Sequence, residues 1–152
     1  MLTPVASYEG KLAASNALSG KLEQTDYRVV PAAVFSDPEL GSVGLTEQQA
    51  KQQGFDYRVT KYEFAKLGSA VLRGETEGLA KLLFERSSGR ILGFHILGPE
   101  ASELIVMAAL AMQGDLSQQQ LGETMLIHPS LSEALGAVTT TAKTGHKEGC
   151  CG

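Results

Sequence analysis

The run Leu104-Ile105-Val106-Met107-Ala108-Ala109-Leu110-Ala111-Met112 contains no polar position to turn toward water. At the helical repeat its apolar groups surround the axis instead of forming one stripe. Such a helix has to be covered all round, and a single sheet layer covers only one face. The remaining cover comes either from elsewhere in the chain or from a second copy of it, and the sequence leaves both open. The run is also far short of the roughly 20 apolar residues of a membrane span. No transmembrane helix is expected.

The sheet layer is expected from four β-type runs, at 27–35, 57–64, 79–85 and 90–97, each bounded by turn residues. Arg86-Ser87-Ser88-Gly89 joins the last two as a short Gly-containing hairpin, which predicts antiparallel pairing. Between the first two, Thr46 and Gln49 have the spacing of a capping box, and Gly54 ends the short helix they start. Helices follow over 99–113, from Ser117 and from Ser130 onward. Strands grouped in the middle with helices after them predict an α+β fold, an antiparallel sheet with helices packed on it, and not an alternating parallel one.

Ahead of the sheet, Thr3 is placed to cap a helix with Pro4 at its first position, running through Leu12, Ala13 and Ala17 to Gly20. Residues 21–26 are polar and read as a connector. The chain therefore divides into 1–26, a central domain at 27–140 and a tail at 141–152.

Composition narrows the function classes. The 152 residues are 43% hydrophobic and 20% charged, an ordinary folded composition of single-domain size. A formal net charge of -4 gives no basic footprint for nucleic acid or an anionic membrane surface. The two cysteines, Cys150 and Cys151, sit beside the terminal Gly152 and bracket no segment, so a disulfide scaffold is excluded and a reducing, cytoplasmic setting is expected. The opening Met1-Leu2-Thr3-Pro4-Val5-Ala6 lacks the basic and apolar regions of a secretory signal. Gly-rich dinucleotide fingerprints, a P-loop, Cys-x-x-Cys zinc pairs and a serine-nucleophile elbow are all missing.

Two constellations could carry chemistry. In Ile127-His128-Pro129-Ser130-Leu131-Ser132-Glu133, Pro129 keeps His128 out of helical geometry at the rim of the helix that follows. Ser130 and Glu133 have capping-box spacing, so Glu133 has a purely structural reading. In the functional reading His128 is a general acid/base oriented by that carboxylate. His95, within a predicted strand, is most simply a sheet residue, and His146 lies in the tail. The tail, Lys143 to Gly152, is Gly-rich and charged, and its vicinal thiolates form a reasonable two-coordinate site for a soft metal ion.

Four segments taken in order, Leu2 to Ala6, Val30 to Glu47, Gly93 to Glu103 and His128 to Glu133, resemble the C-terminal part of the flavoprotein pyridine-nucleotide-disulfide oxidoreductases. The resemblance covers nearly the whole chain. It implies a dimerisation domain from about Tyr27, preceded by the last helix of an FAD domain. It also implies FAD and NADPH as cofactors of the full-length enzyme and a homodimer. Leu2, Thr3, Pro4, Val5 and Ala6 would lie against the flavin ring. His128 and Glu133 match the acid/base dyad that one subunit lends to the other. Within the family, a C-terminal pair such as Cys150-Cys151 is similar to that of mercuric reductase, implying Hg(II) as substrate. Retention of His128 is more at home in thiol–disulfide chemistry, as in dihydrolipoamide dehydrogenase or glutathione reductase. A dimerisation and metal-binding module without turnover is the third reading.

Overall fold

The computed structural model describes residues 2–144. A helix, α1 (Thr3–Ser19), is followed by β1 (Ala32–Val34), β2 (Glu39–Gly44), α2 (Glu47–Gln52), β3 (Tyr57–Glu63), α3 (Gly68–Arg73), β4 (Leu79–Glu85), β5 (Ile91–Gly98), α4 (Ala101–Gln113), α5 (Gln118–Gly122) and α6 (Glu133–Thr144). The five strands form one sheet in the order β1-β2-β5-β4-β3, every neighbour antiparallel. The expected α+β class and the hairpin between β4 and β5 are both present.

Strand alternation sorts the sheet into two faces. Val43, Phe94 and Leu82 stand in register on one of them and enter a core with Ile105, Ala108, Leu135 and Val138 of α4 and α6. Phe94 and Ile96 are completely buried there, each contributing roughly 1.5–3 kcal/mol of apolar burial. On the opposite face α2 covers one end, where Ala50 meets Leu83 and Leu92. A register shift after Leu83 permits this: Leu83 pairs with Gly93 and Phe84 with Ile91, so Leu92 is the extra residue of a bulge.

Four expectations are corrected. The strand expected over 27–35 shrinks to Ala32–Val34, because Pro31 has no N–H to give a ladder and the stretch before it is tied to α1 instead. There Tyr8 Oη accepts from Asp26 N–H at 2.9 Å, and Tyr27 Oη donates to Glu9 at 2.7 Å. β2 and α3 were not anticipated. β2 carries glycines for a packing reason: a Cβ on Gly41 would lie 2.5 Å from the Ala101 carbonyl oxygen of α4. Third, α1 begins at Thr3 with Leu2 at its cap position and no side-chain cap, so Pro4 is the second helical residue; Gly20 closes the helix in the left-handed region as expected. Fourth, α6 begins at Glu133, not Ser130, and runs to Thr144. The capping box of Thr46 and Gln49 is present in both its bonds.

α4 is covered less completely than its composition demands. Leu104, Ile105, Ala108 and Ala111 are buried, while Val106 and Leu110, one turn apart, are 47% and 66% exposed. Its first turn is held from β2: Glu39 accepts from the backbone N–H of Ser102 at 3.0 Å and from its hydroxyl at 2.8 Å. Those bonds, the backbone one foremost, hold the Glu39 carboxyl below the usual carboxylate range.

Candidate active site

The loop from Glu123 to Ser132 leads into α6 and carries His128. The imidazole is 78% exposed and meets Glu133 through its Nδ1 at 2.9 Å from Oε1. The other carboxylate oxygen, Oε2, accepts from the Ser130 backbone N–H at 2.9 Å. Only this half of the expected capping box forms; the Ser130 hydroxyl instead donates backward to the Ile127 carbonyl at 2.6 Å. The His128–Pro129 peptide bond is cis.

The Ser130 N–H first, and the His128 bond second, lower the pKa of Glu133 against the opposing effect of desolvation. Glu133 is therefore a carboxylate at neutral pH and only accepts. Nδ1 must supply the proton of the 2.9 Å contact, which leaves Nε2 as the nitrogen free to take or give a proton. The pair borders a groove of about 390 Å³, also lined by Tyr62, Lys66, Thr124, Leu126 and Thr140. These groove residues were not singled out in the sequence, since no spacing rule links β3 and its following turn to α6.

Leu2, Thr3, Pro4, Val5 and Ala6 lie at the other expected site. Leu2, Thr3 and Pro4 border a cleft of about 460 Å³ with Phe35 and Val106, and that cleft shares no residue with the groove of His128. The dyad and the Leu2–Pro4 segment thus line different cavities. The first turn of α1 holds no side-chain cap and no acidic residue. Pro4 has no N–H and that of Ala6 bonds the Leu2 carbonyl, while the helix dipole favours negative charge at this end. Those features, with the apolar Leu2 and Pro4 beside them, fit the edge of a flavin ring. Cys150 and Cys151 lie outside the described residues, as does His146. Among the described residues no group of three or more His, Cys, Asp or Glu is arranged to hold a metal ion.

His95 is structural, as expected. Its Nε2 faces the Leu45 carbonyl at 3.1 Å and so carries the proton, while its Nδ1 lies 2.7 Å from the Ser42 hydroxyl, which donates to it.

Residues 30–139 match the family model for the pyridine nucleotide-disulphide oxidoreductase dimerisation domain. The chain belongs to this family. Among curated relatives it is 43% identical over 128 residues to a dihydrolipoyl dehydrogenase of Bacillus subtilis, covering 84% of this chain and 27% of that enzyme. It is 41% identical over 135 residues to the mitochondrial dihydrolipoyl dehydrogenase of Pisum sativum, covering 89% and 27%. Among solved structures, LpdA from Mycobacterium tuberculosis superposes with a TM-score of 0.85 at 28% identity, over 93% of this chain and 31% of that one. The Cu(II) complex of the HOCl-induced flavoprotein disulfide reductase RclA from Escherichia coli gives 0.86 at 28% identity, over 93% and 32%. The chain therefore spans about a quarter to a third of these relatives. The family expectation holds. The narrower likeness to mercuric reductase is not matched by the curated relatives named, which are dihydrolipoyl dehydrogenases. No helix among the described residues is long and apolar enough to cross a membrane.

Proposed function

We propose that the chain is the C-terminal, dimer-forming part of a flavin- and NAD(P)H-dependent disulfide oxidoreductase of the dihydrolipoyl dehydrogenase kind, acting in the cytoplasm as a homodimer. The observation that carries this reading is the exposed His128 held by Glu133 within a domain of this family. In this reading residues 27–140 form the dimerisation domain, and residues 1–26 are the end of the FAD domain. The absence of any buried residue in α1 supports that division.

A bound flavin would pass electrons from the nicotinamide to a disulfide. Reducing a disulfide to two thiols takes two electrons and two protons, and the residues of this chain handle a proton. His128 Nε2 gives it to a departing thiolate or takes it from an attacking thiol, while Glu133 holds the ring in the required tautomer and stabilises its cation. That the dyad and Leu2, Thr3 and Pro4 line different cavities is compatible with an arrangement in which the dyad serves the partner's flavin.

A second reading, Hg(II) reduction, is favoured by one feature: the Cys150-Cys151 pair. Vicinal thiolates would take Hg(II) by ligand exchange and hand it on in the same way. The complete coding frame that contains this chain separates the two. Expressed and purified, it should oxidise NAD(P)H with lipoamide, and His128→Ala should lower that turnover about 10²–10⁴-fold, as loss of a general acid/base does. Turnover with Hg(II) alone, lost in Cys150→Ala/Cys151→Ala, would replace the disulfide reading by the mercury one.

A further inference from the structure

We infer that Ser130 is the positioning residue of the His128–Glu133 pair, with Ser132 as its support. This rests on the dyad reading above. His128 is 78% exposed, so packing does not orient its ring. What fixes it is a closed circuit of hydrogen bonds. The Ser130 N–H holds Glu133 Oε2 at 2.9 Å, and Glu133 Oε1 holds His128 Nδ1 at 2.9 Å. The Ser130 hydroxyl closes the circuit on the carbonyl of Ile127, the residue before the histidine, at 2.6 Å. One residue thereby grips both ends of the His128 segment.

Proton counting gives the direction of the last link. The Ser130 hydroxyl has one proton, already committed to the Ile127 carbonyl, and the Ser132 hydroxyl lies 2.6 Å away. Ser132 must then donate to Ser130. The chain of hydroxyls runs from Ser132 through Ser130 to the backbone, and each donor strengthens the next. Removal of the Ser130 hydroxyl frees the Ile127 carbonyl and loosens the loop without touching either member of the dyad. The spacing of Ser130 to Glu133 alone fits a helix cap. Its hydroxyl points the other way, and that leaves it available for this role.

The test reads the histidine tautomer directly. The chain is labelled with nitrogen-15, and the imidazole nitrogens of His128 are followed by NMR at alkaline pH. The wild type should show Nδ1 protonated and Nε2 bare as the dominant form. Ser130→Ala should lower the ratio of that tautomer to the other about fivefold, the size of one net hydrogen bond. Ser130→Thr, which keeps the hydroxyl, should restore it, and Ser132→Ala should give a smaller fall. Backbone amide spectra of the sheet serve as the folding control. An unchanged ratio in a folded Ser130→Ala chain overturns the inference while leaving the dyad standing. A wild-type ring with no preference for the Nδ1–H form, unaltered by Glu133→Gln, overturns the dyad reading and the inference with it.

Discussion

Replacing Gly41 by alanine adds one methyl group where β2 passes under α4. The new Cβ would stand 2.5 Å from the Ala101 carbonyl oxygen and 3.1 Å from Ile105 Cβ. An unstrained carbon–oxygen contact is about 3.3 Å or longer, so α4 has to lift by roughly the difference. A gap of that size forfeits a quarter to a half of the dispersion energy along the seam, and overpacking of this kind costs about 1–3 kcal/mol. Alanine restricts the unfolded chain more than glycine does, which returns about 0.4–1 kcal/mol. Gly41 is not among the positive-φ residues, so backbone strain adds nothing. The net loss is about 1–2 kcal/mol, or about 3–6 °C in melting temperature for a chain of this length. The lift also draws Ser102 away from Glu39. Urea unfolding followed by circular dichroism checks this as a lower midpoint at an unchanged m-value. Gly10→Ala is the control, since nothing lies within 4 Å of a Cβ there. It should raise the helicity of α1 by about 0.5–1 kcal/mol and leave the midpoint unlowered. A Gly41→Ala midpoint equal to or above that of the wild type would refute the account of why β2 is built with glycine.

Burial pushes the His95 imidazole below its ordinary value near 6.5, only partly offset by the Leu45 carbonyl. Its folded form therefore binds a proton less readily than its unfolded form. The stability it contributes is present above about pH 6.5 and is lost as the pH falls through the unfolded and then the folded value. Melting temperature should drop between pH 7 and pH 5, and His95→Gln should flatten that part of the profile; a wild-type profile already flat there would remove His95 from the account. Val106→Glu/Leu110→Glu, on the exposed stripe of α4, should turn a dimer into a monomer in sedimentation at micromolar concentration without lowering the melting temperature of the monomeric unit. Dimers that persist in this variant place the interface elsewhere.

The antiparallel sheet was legible where the strands carry their own signal. β4 and β5 are nearly unbroken apolar runs, split at a turn whose Gly89 adopts positive φ, and such strands read clearly because both their faces are covered. β2 was invisible for the opposite reason. Gly41 and Gly44 look like turn residues in sequence, yet a Cβ on Gly44 would fall 2.4 Å from the Leu92 carbonyl oxygen. Glycine there reports the close approach of another segment, which no local pattern contains. α3 is six residues long and too short for periodicity to register. The apolar character of α4 is plain in the sequence, but whether the chain itself covers it is not: Val106 and Leu110 are left exposed by intrachain packing.

The site shows where spacing stops being informative. A serine three residues before a glutamate has a sufficient explanation in the capping box, and on sequence alone that explanation competes with catalysis for the same carboxylate. In the structure the two readings do not exclude each other, because the carboxylate has two oxygens. Oε2 takes the Ser130 N–H, which anchors Glu133, and Oε1 takes His128 Nδ1. The bond to the backbone lowers the pKa of Glu133 further, and a carboxylate that only accepts is what sets the tautomer of His128. The capping contact therefore does not stand against the proposed catalytic role, because it occupies one carboxylate oxygen and leaves the other for the imidazole. What no spacing could indicate is the direction of the Ser130 hydroxyl, which follows from a carbonyl three residues upstream and a second hydroxyl two residues downstream.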